Sequence, residues 1–127
     1  MTRKIPHLLF VCLGNICRSP AAEGVTRSLA KRRNQPVVLD SAGTDAWHVG
    51  QAPDRRMQRA VADRGYDLSG QTARKFVAED FDAFDLILAM DQQNKRDIEA
   101  LRPPGSDTPV RLFLTYGASG QTDLADP

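Results

Sequence analysis

The sequence has few cysteines and no long hydrophobic run, and each shortage excludes a class of protein. With two cysteines and no secretion signal, a disulfide-built extracellular domain is excluded, and we expect reduced thiols in a cytoplasmic protein. No apolar stretch approaches the ~20 residues that a membrane-spanning helix needs. A basic start followed by apolar residues 8–13 imitates a signal peptide, but Gly14 and Asn15 end that run and no small-residue cleavage site follows.

The chain also lacks an excess of either charge. It carries 17 Lys and Arg against 16 Asp and Glu, a net charge of +1 at pH 7, which argues against a dedicated nucleic-acid binder. The charge is uneven, however, because residues 1–59 have a net charge of +6 and residues 60–127 of −5. Either this only polarises the surface of one domain, or the first half surrounds an anionic substrate. We expect no nucleic-acid or membrane partner, and a monomer or weak dimer.

What the chain does have is an alternation of strand and helix patterns. With 127 residues, 41% of them hydrophobic and 26% charged, it has the size and composition of one domain with its own core. Strands are predicted at 7–12, 37–39, 86–90 and 110–114, and helices at 19–33, 53–64, 78–84 and 91–101. The alternation predicts a doubly wound α/β fold, in which a four-stranded parallel sheet has helices on both faces.

Local signals refine these elements. Ser19 and Pro20 are typical of a helix start, and Asp91 is expected to cap the last helix. The apolar side chains expected to face the core are Ala21, Ala22, Val25 and Leu29 of the first helix and Met57, Ala60 and Val61 of the second. Residues 40–44, after the second strand, are expected to form a polar loop.

Polar loops follow three of the four predicted strands, at 12–18, 41–47 and 115–126. In doubly wound folds, ligands bind outside the carboxyl ends of the strands. The architecture therefore predicts one shared site made by these loops.

The first of these loops has the residues of an anion-binding cradle. Cys12 ends the first strand, five residues follow, and Arg18 stands where a helix begins. So short an arc can turn its backbone amides toward one anion, aided by the helix N-terminus. Gly14 and Asn15 tolerate the left-handed dihedral angles that such a cradle needs. Arg18 adds a planar fork of donors that matches two phosphate oxygens.

The same loop carries a candidate nucleophile. Positive surroundings favour the thiolate form of Cys12, which is the nucleophilic form of cysteine. Ser19 follows this loop directly, and we expect its hydroxyl to donate a hydrogen bond to that sulfur and to help it leave in a second step.

Together with segments further along the chain, this loop resembles the low-molecular-weight protein tyrosine phosphatase family over nearly the whole sequence. A cysteine and an arginine with five residues between them would alone be a weak signal, but the order of the other segments makes the resemblance specific. The matching segments are CLGNICRSP, residues 40–44, Trp47, Thr72-Ala73-Arg74, Glu79-Asp80-Phe81 with Phe84-Asp85, Ala89-Met90-Asp91 and Asp126-Pro127.

The resemblance implies roles for several of the matching residues. Cys12 is implied to become phosphorylated, Arg18 to hold the transferring phosphoryl group, and Asp126 to act first as general acid and then as general base. Phosphotyrosine proteins are the implied substrate and inorganic phosphate the product, without metal or cofactor. The phosphate-binding and supporting residues implied are Leu13, Gly14, Asn15, Ile16, Cys17, Arg18 and Trp47, with Ser19 and Ser41 in support.

The second cysteine, Cys17, has two interpretations. It is either a small buried filler of the loop or, as the resemblance implies, a thiol that forms a reversible disulfide with an oxidised Cys12. Zinc binding by both cysteines with His7 and His48 is conceivable by count, but their spacing does not favour it.

The chain departs from the family pattern at its end. Family members usually continue past the Asp-Pro pair with aromatic residues and a final helix, whereas this sequence ends at Pro127. The resemblance thus predicts a single domain over residues 1–127 without that helix, either as its natural length or as a truncated chain. Asp126 would then lie next to a free terminus.

Three other functions compete with tyrosine phosphatase activity. Thioredoxin-coupled arsenate reductases share the loop but need further cysteines, and none follows Cys17. Protein-arginine phosphatases have threonine where this chain has Ile16, whose branched apolar side chain favours a tyrosine leaving group. A phosphotyrosine-binding or phosphate-binding module with little turnover is the alternative from outside the enzymes.

Overall fold

The computed structural model describes residues 5–16, 18–45, 47–68 and 70–113. Cys17, Leu114 and Asp126, on which sequence predictions fall, lie outside the described residues. The elements in chain order are β1 (His7–Cys12), α1 (Arg18–Arg32), β2 (Val38–Gly43), α2 (Arg55–Ala62), α3 (Asp80–Ala83), β3 (Leu86–Ala89), α4 (Gln92–Glu99) and β4 (Val110–Leu112). This order confirms the predicted alternation of strands and helices.

The four strands pair in parallel in the order β2-β1-β3-β4. The chain moves from β1 outward to β2 and then returns to the other side of β1 to form β3. The carboxyl end of β1 therefore lies where the direction of winding reverses, the place where α/β sheets bind ligands. Cys12 is the last residue of β1, so the fold positions it at this switch point.

Side chains of β1 alternate between two hydrophobic clusters, one on each face of the sheet. Leu9 and Val11 join the cluster that includes Phe81 of α3 and Ile98 of α4. Phe10 and Cys12 belong to the other cluster, with Ala22 of α1. The helices thus cover both faces, as predicted. In the described part of the chain, no helix has the length and apolar character needed to cross a membrane.

One segment predicted as a loop is largely a strand. Residues 40–43 belong to β2 and align with β1, from Asp40 opposite Leu9 to Gly43 opposite Cys12. The polar composition was misleading because these side chains have partners of their own. Ser41 is buried and bonded to Asn15, and Asp40 is paired with a guanidinium.

The predicted inward faces of α1 and α2 are only partly right. Leu29 is 38% exposed, and α1 instead buries Glu23 and Gly24 beside Ala22. A Cβ at Gly24 would lie 2.4 Å from Leu68 Cδ2, so glycine lets the loop after α2 pack against this face. In α2, Val61 is the buried residue and Ala60 is exposed.

Candidate active site

The sulfur of Cys12 lies at the carboxyl end of β1 with two groups directed at it. Cys12 is buried, its Sγ is 3.0 Å from Ser19 Oγ, and the backbone N–H of Asn15 donates to it at 3.2 Å. Because Ser19 is in the first turn of α1 and Asn15 is in the preceding loop, the strand-loop-helix connection itself creates these contacts. Groups arranged in this way can hydrogen-bond to a sulfur nucleophile and orient it for attack.

Asn15 connects the loop to two other parts of the fold. Its φ of 59° is left-handed, as the sequence predicted, and asparagine tolerates that region better than most residues. The side-chain amide donates to Ser19 Oγ and Ser41 Oγ, both at 2.9 Å, and its oxygen accepts the backbone N–H of Arg74 at 2.9 Å. The loop is thereby held to α1, to β2 and to the segment before α3.

Gly14 is needed for space and not for dihedral freedom, so that part of the sequence prediction was wrong. Its φ is not positive, but a Cβ there would lie 2.9 Å from His48 Cδ2. Gly43, at the end of β2, is equally crowded, since a Cβ would lie 2.7 Å from the backbone oxygen of Leu13. The two glycines let the loop, the imidazole and the strand end come together.

Arg18 is buried beside the loop and held by a residue to which the sequence analysis gave no role in the site. It is 4% exposed, and its Nη1 donates to Asp91 Oδ2 at 2.9 Å. The other oxygen of Asp91 accepts the N–H of Asn94 at 2.7 Å and caps α4, as predicted. Strand order is the signal that would have found this pair, because Asp91 closely follows β3, the neighbour of β1.

Arg74 supports the loop from outside and was also missed as a site residue. Its Nη1 and Nη2 donate to the two carboxylate oxygens of Asp80 at 3.0 and 3.1 Å, and its Nε donates to Asp40 at 3.0 Å. Burial would lower the pKa of Arg74, but the hydrogen bonds and negative charges of Asp80 and Asp40 outweigh it and raise that pKa. Arg74 therefore stays charged and paired with both carboxylates, next to the backbone N–H that donates to Asn15.

A pocket of about 220 Å³ opens above the sulfur; its lining residues are Cys12, Leu13, Gly14, Ile16, Asp45, Trp47 and His48. Trp47 is 81% exposed on its rim, and Asp45 Oδ1 accepts the Trp47 N–H at 3.0 Å. Trp47 and four of the other lining residues were predicted from the sequence as site residues, whereas Asp45 and His48 were not. The lining is mostly apolar around Cys12, which suits the ring of an aromatic ester, whereas the buried Arg18 is not among the lining residues.

The described residues offer no metal site. No group of three or more His, Cys, Asp or Glu in the described ranges is arranged to hold an ion. The zinc set considered from the sequence fails on geometry, because His7 and Cys12 stand at opposite ends of β1, roughly 16 Å apart at the rise of a strand.

Comparison with known proteins agrees with this geometry. The family model for low molecular weight phosphotyrosine protein phosphatase matches residues 7–127. The Schizosaccharomyces pombe protein of that name is 43% identical over 129 residues, which cover 99% of this chain and 81% of the yeast chain. YfkJ from Bacillus subtilis matches with a TM-score of 0.91 at 34% identity, covering 100% of this chain and 82% of its own. Drosophila arginine phosphatase matches with a TM-score of 0.80 at 37% identity, covering 86% of this chain and 71% of its own.

Proposed function

From the premise that this chain belongs to the low molecular weight phosphotyrosine protein phosphatase family, we propose how its own residues hydrolyse phosphotyrosine. The chain is a hydrolase of that family, and residues 1–127, of which the family model matches 7–127, are proposed to form a single catalytic domain. The observation that carries the proposal is the Cys12 sulfur at the base of the pocket, with Asn15 N–H and Ser19 Oγ beside it.

In the first step, the Cys12 thiolate attacks phosphorus and forms an S–P bond while the P–O bond to the tyrosine ring breaks. The electron pair leaves with the phenolate oxygen, which takes a proton from Asp126. Arg18 holds two phosphoryl oxygens with its planar fork, and the loop amides stabilise the charge that develops on them. The ion pair with Asp91 supports this assignment because it fixes the orientation of the guanidinium before substrate arrives.

In the second step, the Asp126 carboxylate takes a proton from water, whose oxygen attacks phosphorus. The S–P bond breaks, its electron pair returns to Cys12, and inorganic phosphate is released. Ser19 donates to the departing sulfur, a role supported by their separation of 3.0 Å. The acid–base pair of steps needs one carboxyl group and no metal.

The pocket favours tyrosine over arginine as the leaving group. Trp47 and Leu13 give the rim two exposed apolar side chains, against which a phenol ring can pack, and Ile16 adds a branched apolar side chain to the wall. Because the Drosophila structure of similar fold is an arginine phosphatase, this choice needs a direct comparison. We expect hydrolysis of a phosphotyrosine peptide to exceed that of a matched phosphoarginine peptide. The reverse order would assign the chain to arginine phosphatases.

The test of the catalytic assignment is Cys12→Ser. This substitution removes the thiolate but leaves Arg18 and Asn15 in place, so turnover of phosphotyrosine should be lost while phosphate binding remains. Wild type that binds phosphate but does not turn over the peptide would instead support a phosphate-binding module. Residual hydrolysis by the purified variant would contradict covalent catalysis.

Three further assignments belong to the same proposal. Cys17 is proposed to protect an oxidised Cys12 by forming a disulfide with it, because a second thiol in the same short loop can resolve a sulfenic acid.

We also propose that the protein acts in the cytoplasm, where its thiols stay reduced. Its solution state is proposed to be a monomer or weak dimer, which sedimentation at micromolar concentration would test.

A further inference from the structure

The amino end of α2 is hydrogen-bonded to a residue that lines the active-site pocket. The backbone N–H of Asp54 donates to the backbone oxygen of Ile16 at 2.6 Å, and Ile16 lines the pocket. Since Asp54 caps α2, the first helical residues, Arg55 and Arg56, follow directly after this contact with the loop. Neither arginine lines the pocket itself, so a phosphotyrosine seated on Cys12 leaves both of them for neighbouring residues of the substrate.

Both arginines present their charge to solvent. Arg55 is exposed, and the Arg56 side chain is 76% exposed. The carboxylate that approaches Arg56 is that of Asp54, 3.9 Å from Arg56 Nε. The same carboxylate accepts the N–H of Met57 to cap the helix. So long a separation at an exposed site neutralises little of the guanidinium charge.

Negative and positive side chains near the pocket belong to different elements. Asp45 lines the pocket together with Trp47 and His48, so a carboxylate belongs to the loop after β2 while two guanidinium groups belong to the start of α2. An acidic side chain near Asp45 is repelled, whereas one near α2 is attracted. The net charge of +6 over residues 1–59 favours approach of anionic chains to the same region.

We propose that Arg55 and Arg56 form a recognition surface for acidic residues on one side of the phosphotyrosine in the protein substrate. This rests on the proposed function, which it deepens by naming a substrate class: acidic phosphotyrosine segments. The selectivity is carried by exposed ion pairs, so it acts on kcat/KM and weakens as salt screens the charges.

Three phosphotyrosine peptides test the proposal: one with two glutamates before the phosphotyrosine, one with two glutamates after it, and one with glutamines at all four positions. Wild type should prefer one of the acidic peptides over the neutral one by about 2- to 10-fold in kcat/KM, the range of one or two exposed ion pairs. The preference should fall toward unity between about 20 mM and 500 mM salt, because the Debye length shortens over that range.

In the variant Arg55→Gln/Arg56→Gln, kcat/KM for the preferred acidic peptide should be close to kcat/KM for the neutral peptide. The matched control is Arg33→Gln/Arg64→Gln, which removes the same charge from exposed positions past the far ends of α1 and α2, more than about 10 Å from the loop at 1.5 Å rise per residue. The control should keep the wild-type ratio. If both variants lost the preference for the acidic peptide, the net charge of the protein would explain that preference, and the proposed recognition surface at Arg55 and Arg56 would be wrong.

A wild type that hydrolyses all three peptides at equal rates would also overturn the proposal while leaving phosphatase activity intact. A wild type that hydrolyses none of them, nor a small aryl phosphate, would instead contradict the proposed function. The two failures are therefore distinguishable in one set of assays.

Discussion

Replacing Asn15 by alanine tests whether one side chain holds the catalytic loop in shape. The substitution removes three hydrogen bonds, to Ser19, Ser41 and the backbone N–H of Arg74, from a residue that is 2% exposed. At about 1 kcal/mol for each bond, plus about 1 kcal/mol for alanine at a left-handed φ, the loop conformation loses roughly 4 kcal/mol. We expect urea unfolding to report a loss of about 2–4 kcal/mol, the lower end applying where the loop relaxes locally.

The matched variant is Asn15→Gly, which loses the same hydrogen bonds but accepts the left-handed φ of 59° without strain. It should therefore be about 1 kcal/mol more stable than the alanine variant. Both variants should bind inorganic phosphate more weakly than wild type, because the loop amides are no longer held together. An alanine variant within about 0.5 kcal/mol of wild type, the usual range of surface substitutions, would refute the reasoning, as would equal stability of the two variants.

Three other predictions concern the chemistry. Asp91→Asn keeps a capping side chain for α4 but removes the carboxylate from the buried Arg18. We therefore expect kcat/KM to fall by about tenfold or more and the free energy of unfolding to fall by about 1–3 kcal/mol; normal kcat/KM would remove Asp91 from the site. Asp126→Asn should slow phosphotyrosine hydrolysis by up to roughly 10²–10⁴-fold and nitrophenyl phosphate hydrolysis far less, since nitrophenolate needs no proton to leave; equal slowing would show that Asp126 is not the general acid. Cys17→Ser should make peroxide inactivation irreversible to dithiothreitol, and equal recovery of both proteins would reduce Cys17 to a packing role.

Local signals in the sequence predicted the parts of the fold that depend on neighbouring residues. The apolar run of β1 and the cap at Asp91 were recognisable because strand burial and helix capping are decided within a few residues. The strand at 40–43 was missed because its polar side chains, Asp40 and Ser41, have partners far along the chain. Ser41, for example, receives its hydrogen bond from Asn15, 26 residues away.

Residues of the candidate site were likewise predictable where they are close in sequence and were missed where they are distant. The cysteine, the arginine and the left-handed asparagine belong to one short loop, so their spacing alone indicates an anion-binding cradle. Arg74 reaches that loop across 59 residues, and Asp91 reaches Arg18 across 73. Contacts between residues so far apart in sequence depend on the order of the strands in the sheet. That order has to be inferred from the predicted fold, because no local signal in the sequence gives it.

The most direct test of the central claim is to trap the phosphorylated enzyme. Wild type mixed with a phosphotyrosine substrate and quenched in acid within milliseconds should carry one phosphoryl group on the peptide that contains Cys12, detected by mass spectrometry. Cys12→Ser, treated identically, should carry none. Phosphate release without any label on Cys12, or a label on another residue, would contradict the account and require direct attack by water or a different nucleophile.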